Sequence, residues 1–209
     1  MKKLYIILFL ISCLIVFNGC TTVTTEKLSK QEIDSLKTVS LEYPVISGNL
    51  RVWCALCAFT WVGEYNGIEY TDLNALHEAV YLDNEIDITQ IVYEELIKHI
   101  KSNFKLRYAE TDGDLVIKTE ITQYGFGPPS PFSPKLSPSL SVRLSGLTNN
   151  NKVIWQSNSL TTMFSSVSDS YSNYDLVHKP QIILKQYRAA AKEATKDALD
   201  TYDESVKAN

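Results

Sequence analysis

The hydrophobic period of this chain changes twice between Asp87 and Ala198, and that change limits the folds open to it. Ile88, Ile91, Val92, Leu96, Ile97 and Ile100 recur at helical spacing behind Asp87-Ile88-Thr89-Gln90, a capping-box pattern. They predict one amphipathic helix ending near Ser102. The period then falls to two. Leu115, Ile117 and Ile121 share one face of a segment whose other face carries Lys118 and Glu120, as a half-buried strand requires. Leu140, Val142 and Leu144 alternate in the same way. The turn Asn149-Asn150-Asn151-Lys152 then leads into Val153, Ile154 and Trp155 as a hairpin, because asparagine tolerates the positive φ of tight turns. From Pro180, well suited to a first helical position, the helical period returns with Ile183, Tyr187, Ala190, Ala194 and Ala198 on one stripe.

Shorter elements complete the pattern. Leu36 to Tyr43 reads as a first strand ended by Pro44, Thr71 to Tyr81 as a short helix, and Phe104 to Tyr108 as a strand before the turn Thr111-Asp112-Gly113. The order of strand, helix, several antiparallel strands and helix predicts an α+β fold. It is a two-layer sandwich, a mainly antiparallel sheet with two helices packed on one face. Two segments are expected as loops: Gly125 to Pro138, with five prolines, and Ser165 to Tyr174, rich in serine and tyrosine. Their aromatics Phe126, Phe132, Tyr171 and Tyr174 are the candidate partner-binding anchors, since large rigid rings dominate interface energetics.

The N-terminus says where the chain is sent. Lys2 and Lys3 precede an apolar run from Leu4 to Phe17, which Asn18-Gly19-Cys20 closes. That layout is a secretory signal, and its apolar stretch is shorter than the ~20 residues a spanning helix needs. With a cysteine at its end it resembles a bacterial lipoprotein signal. Leu10-Ile11-Ser12-Cys13 matches the lipobox better by letter, but cleavage there leaves only nine residues between Lys3 and the cysteine, so Cys20 is the expected lipidation site. The resemblance implies acylation of Cys20, palmitate among the chains, and attachment to a membrane. In the Gram-negative family, Thr21 in place of an aspartate implies the outer membrane, most simply facing the periplasm. Residues 1–19 are then the signal peptide, 20–35 the acylated cysteine and polar tether, and 36–209 a single envelope domain.

Processing leaves 190 residues with 18 basic and 24 acidic side chains, a net charge of −6 and no basic cluster, so nucleic acid is not an expected partner. Cys54 and Cys57 remain as a possible disulfide in a compartment where disulfides persist. Trp53-Cys54-Ala55-Leu56-Cys57 has the outline of a thioredoxin-type site, but a meagre strand precedes it and no βαβ pattern surrounds it. The uncharged block from Val52 to Val62 reads either as core or as a segment resting on the membrane interface. His77, His99 and His178 lack metal-ligand spacing, and Gly125-Phe126-Gly127 is followed by prolines rather than by the helix a phosphate cradle needs. No metal, cofactor or catalytic set is expected. In general plan the chain resembles small envelope lipoproteins, including uncharacterised ones and accessory lipoproteins of transport systems. The expected function is a lipid-anchored, non-catalytic binding, scaffold or accessory subunit with an envelope protein partner. The alternatives are a periplasmic thiol–disulfide redox protein using Cys54 and Cys57, and a lipid-binding carrier with a groove between helices and sheet.

Overall fold

The computed structural model describes residues 29–54, 63–130, 132–161 and 169–207, with side chains to residue 202. The signal, Cys20, Cys57 and most of the uncharged block lie outside the described residues. Helix α1 (Lys30–Ser35) forms within the expected tether, closed by a Ser29–Glu32 capping box, and buries none of its side chains. Strands β1 (Thr38–Leu41), β2 (Val45–Ile46) and β3 (Leu50–Val52) follow. Next come β4 (Gly63–Tyr65), β5 (Ile68–Tyr70), α2 (Leu73–Asp83), α3 (Ile88–Asn103) and β6 (Arg107–Tyr108). The chain continues through β7 (Leu115–Gly127), β8 (Lys135–Thr148), β9 (Val153–Thr161) and β10 (Tyr171–Ser172). Helices α4 (Asn173–His178) and α5 (Pro180–Lys207) end it.

The chain is a mixed α and β protein whose main sheet is mixed, its long strands antiparallel and several short ones parallel. Strands β7, β8 and β9 form the expected antiparallel meander. Strands β1, β2 and β3 lie end to end along the other side of β7 and run parallel to it, and β6 is parallel to β1. A parallel neighbour needs a crossover, and α2 and α3 supply one between β3 and β7. Helix α5 packs across β8 and β9 and against α3. Ile183, Tyr187, Ala190, Ala194 and Ala198 are all fully buried, the small alanines letting the helix approach the strands closely. Asp87 caps α3 by accepting from the Thr89 and Gln90 amides; the Gln90 side chain turns to Glu94 at 3.0 Å instead of returning to the cap.

The segment 125–138 departs most from its expected form. Gly125–Gly127 completes β7 and Lys135–Pro138 begins β8, so the hairpin connection shrinks to residues 128–134. Pro138 is tolerated inside β8 because it falls between the β10 pairing at Leu136 and the β9 pairing at Leu140, where its missing N–H breaks no ladder on that side. A β-bulge makes the longer strand possible. Leu115, Ile117, Thr119 and Ile121 face the core, and the register then shifts between Ile121 and Gln123. Because strand faces alternate with period two, one extra residue at Thr122 turns Tyr124 and Phe126 back to the core side, opposite Leu140 and Pro138. The neighbouring chain follows the bulge closely. The Ser47 and Gly48 amides both donate to Ile121 O, and a Cβ on Gly48 would lie 1.9 Å from Thr122 O. One strand pair further, a Cβ on Gly125 would lie 1.8 Å from Arg51 O. Both glycines are therefore required by close approach.

The β8–β9 turn forms as expected, with Asn151 at φ 58° and its amide donating to Thr148 O at 2.8 Å. Among the described residues no helix is long and apolar enough to cross a membrane.

Candidate functional site

The register of the sheet gathers exposed aromatic side chains at one end. β10 pairs with the start of β8, Tyr171 opposite Leu136 and Ser172 opposite Lys135. In antiparallel pairing, the residues before Lys135 and those after Ser172 run off the same end. Phe132 and Tyr174 therefore both lie beyond it, 83% and 68% exposed. On the other side of β7, Val52 pairs with Phe126 and the Trp53 amide donates to Phe126 O at 2.9 Å. That places Trp53, 53% exposed, at the same end of the sheet. Phe132 and Tyr174, from segments 36 residues apart between Lys135 and Tyr171, are thus brought to one end of the sheet.

The four anchor candidates divide. Phe132 and Tyr174 are exposed, and Tyr174 stacks on His178 with ring centroids 4.2 Å apart. Tyr171 is half-buried, its hydroxyl donating to Asp169 Oδ2 at 3.2 Å. Phe126 is corrected: it is 1% exposed, packed edge-on to Tyr187 at 5.3 Å and beside His77 at 5.9 Å. The bulge at Thr122 turned it inward, so it supports the core and offers no surface. Trp53 takes its place in the exposed set. The signal for it was a large ring directly after an apolar strand end.

A second feature lies on the inner side of β2 and β3. An open groove of about 560 Å³ is bounded by Ile46, Leu50 and Tyr124 from the sheet and by Tyr81, Leu82 and Ile86 from α2 and its exit. Glu78, Glu85 and Asp87 line it too, and among the described residues no lysine, arginine or histidine does. The volume falls within the range of ordinary ligand clefts. Burial and the nearby Glu78 carboxylate push the Tyr124 hydroxyl above its usual range. Asp87 is partly buried, which opposes ionisation. Hydrogen bonds from Thr89 Oγ1, the Gln90 and Thr89 amides and Tyr43 Oη outweigh that and hold its carboxyl below the usual range. Glu78 and Glu85 make no ion pair among the described residues. Sequence reasoning missed these acids because Glu85 and Asp87 fall in a helix–helix connection, where the pattern carries no facing information.

Two groups beneath the aromatic end are structural in character. Cys54 is buried and disulfide-bonded; its partner lies outside the described residues. His77 on α2 is fully buried, and its Nε2 sits 2.8 Å from Asn173 Oδ1, tying α2 to α4. With the proton on Nε2, Nδ1 is an acceptor that has no partner among the described residues. Burial pushes the ring down to about 4, the Asn173 hydrogen bond opposing. Among the described residues no three histidine, cysteine, aspartate or glutamate side chains are placed to hold a metal ion.

The sequence matches no family model and no curated protein. It is similar, at low identity, to several solved structures. One is protein XCC0632 from Xanthomonas campestris, family model DUF330, at 12% identity over 89% of this chain and 96% of that one, with a TM-score of 0.45. Another is the hypothetical protein CT253 from Chlamydia trachomatis, at 13% identity over 83% of this chain and 99% of that one, also with a TM-score of 0.45. Lipoprotein GNA1162 from Neisseria meningitidis is a third, at 13% identity over 72% of this chain and 96% of that one, with a TM-score of 0.27.

Proposed function

We propose that this chain is a lipid-anchored, non-catalytic binding subunit of the bacterial envelope, held by acylated Cys20 and engaging a protein partner through the aromatic end of its sheet. The observation that carries the reading is the convergence of Trp53, Phe132 and Tyr174, all exposed, at one end of a sheet whose opposite end receives the tether. Tryptophan and tyrosine are enriched among the residues that dominate protein–protein binding energy. Placement in the outer membrane facing the periplasm, and a two-layer arrangement with α3 and α5 on one face of the sheet, belong to the same proposal. The buried disulfide of Cys54 supports a cross-link rather than an exchanging thiol, which must be accessible to react.

The test is a crosslinking capture from native membranes, comparing the acylated chain with its Trp53→Ala, Phe132→Ala and Tyr174→Ala variants. A stoichiometric envelope partner should be captured by the unaltered chain and lost by about tenfold or more in at least one variant. All three should keep their stability to within about 0.5 kcal/mol, since exposed substitutions usually do. Equal capture by all three variants would remove the aromatic end from the function. Mass analysis of Cys20 checks the anchor separately, because an unmodified cysteine would refute the lipidation alone.

A further inference from the structure

We propose that the groove between β2, β3 and α2 is a second docking site, taking a segment of a partner polypeptide in which a basic residue neighbours bulky apolar ones. The inference goes beyond the aromatic end and does not depend on it. The lining of the groove is mainly apolar: Ile46, Leu50, Ile86 and Ile88, with Tyr81 and Tyr124. Its lip carries the apolar surface outward through Leu82, 80% exposed, and Ile46, 43% exposed. An isolated exposed leucine needs no explanation, but a contiguous apolar lip around a cleft marks a binding surface.

Charge selects the occupant. Glu78, Glu85 and Asp87 ring the groove without a lining cation, and the two glutamates are unpaired among the described residues. An anionic occupant would meet three like charges across a partly dehydrated cleft, whereas a lysine or arginine would find carboxylate partners at the rim while its neighbour fills the floor. A phospholipid carries its phosphate beside its chains and is disfavoured on the same ground. The position of the groove favours a polypeptide over a small cationic amphiphile. It opens at the margin of the sheet where, among the described residues, β2 pairs only with β7, so an extended segment could lie along that open edge and span from Ile46 to Leu82.

The experiment uses the full acylated chain in nanodiscs and three probes. They are a short fluorescein-labelled peptide alternating lysine with leucine or valine, the same peptide with glutamate for lysine, and octylamine as competitor. Saturable binding of the lysine peptide is expected, with none of the glutamate peptide. The Glu78→Gln, Glu85→Gln double variant should weaken it about five- to tenfold, the magnitude of two partly exposed ion pairs, and should flatten its salt dependence. Leu82→Lys, at a side chain too exposed to affect folding, removes apolar lip and adds a like charge, and should abolish it. Equal binding of both peptides, or no response to these variants, would overturn the proposal. So would octylamine displacing the peptide at equal affinity, which would make the groove a small-amine site. Phe132→Ala should leave peptide binding unchanged, so failure here and failure of the aromatic end are read separately.

Discussion

Acidification should weaken this fold through one side chain, His77, in the range where most carboxylates remain ionised. An imidazole free in the unfolded chain titrates near 6.5, and burial of His77 lowers it to about 4 in the folded state. Between those values the unfolded chain holds a proton that the folded chain lacks, so stability declines as pH falls from 6.5 and the loss is complete below about 4. The full difference corresponds to about 3 kcal/mol, of which roughly 2–3 kcal/mol falls between pH 7.5 and pH 4.5. The cause is local: protonating Nδ1 creates a charged donor beside Phe126 and Tyr81, where no acceptor faces it among the described residues. Asp87, Asp114 and Asp175 are all held below their usual range, so their contribution is lost at lower pH, as they protonate. His99 is also pushed down by burial, but Asp200 opposes the shift and the group is more accessible. The assay is urea unfolding of the domain at both pH values, with and without His77→Phe. The unaltered domain should lose about 1 M in midpoint on acidification through this group. The variant should start about 1 kcal/mol lower, having lost the Asn173 bond, and be flatter by the amount stated. Identical pH slopes in the two proteins would refute the assignment.

Two further predictions test the packing that positions the site. Gly48→Ala should destabilise the domain by about 2 kcal/mol or more, because the new Cβ meets the backbone of Thr122, which has no flexible end to yield; a loss below about 0.5 kcal/mol in urea unfolding would contradict the close approach at the bulge. Ala194→Leu should cost about 1–3 kcal/mol by overpacking the fully buried face of α5, while Lys185→Leu on its exposed face should be near neutral. Equal effects at the two positions would mean that α5 does not lie on the sheet as described.

The long-range features of the fold were legible where the hydrophobic period was sustained. Ile88 through Ile100 and Ile183 through Ala198 announce their helices because six and five apolar residues each repeat on one face. Leu115–Ile121 and Leu140–Leu144 announce strands for the same reason. What failed did so through short signals. Strands β1, β2 and β3 are four residues long or less, so direction relative to β7 had no pattern to carry it. The Asn66-Gly67 turn, with both residues at positive φ, was a legible hairpin signal between β4 and β5 that a polar, aromatic context concealed. The prolines of 125–138 pointed to a loop, but each local preference yields where no ladder bond is lost, and Pro138 meets that condition. The site suffered the same way. Burial of Phe126 depends on a single extra residue at Thr122, and no periodicity within four residues of it predicts where a bulge will fall.

Under the proposed anchoring, the sheet itself sets how far the aromatic end stands from the membrane. The tether joins at Lys37–Thr38, where Asp114 Oδ2 accepts from both amides and from Thr38 Oγ1 at 2.9 Å each. Those hydrogen bonds hold the Asp114 carboxyl below the usual range and fix the first residues of β1 beside the start of β7. Strand β7 then runs thirteen residues, and at about 3.3 Å per residue the aromatic end lies roughly 40 Å away. With the tether at one end of the sheet and the rings at the other, the domain can stand on its tethered end or lie on its side. A processed chain with a net charge of −6 is repelled by an anionic phospholipid surface once it comes within a Debye length, about 8–10 Å at ordinary salt. Lying down brings more of that charge within range than standing does. The end-on pose thus has the lower electrostatic cost, and in that pose Trp53, Phe132 and Tyr174 face away from the anchoring membrane, toward whatever the compartment presents.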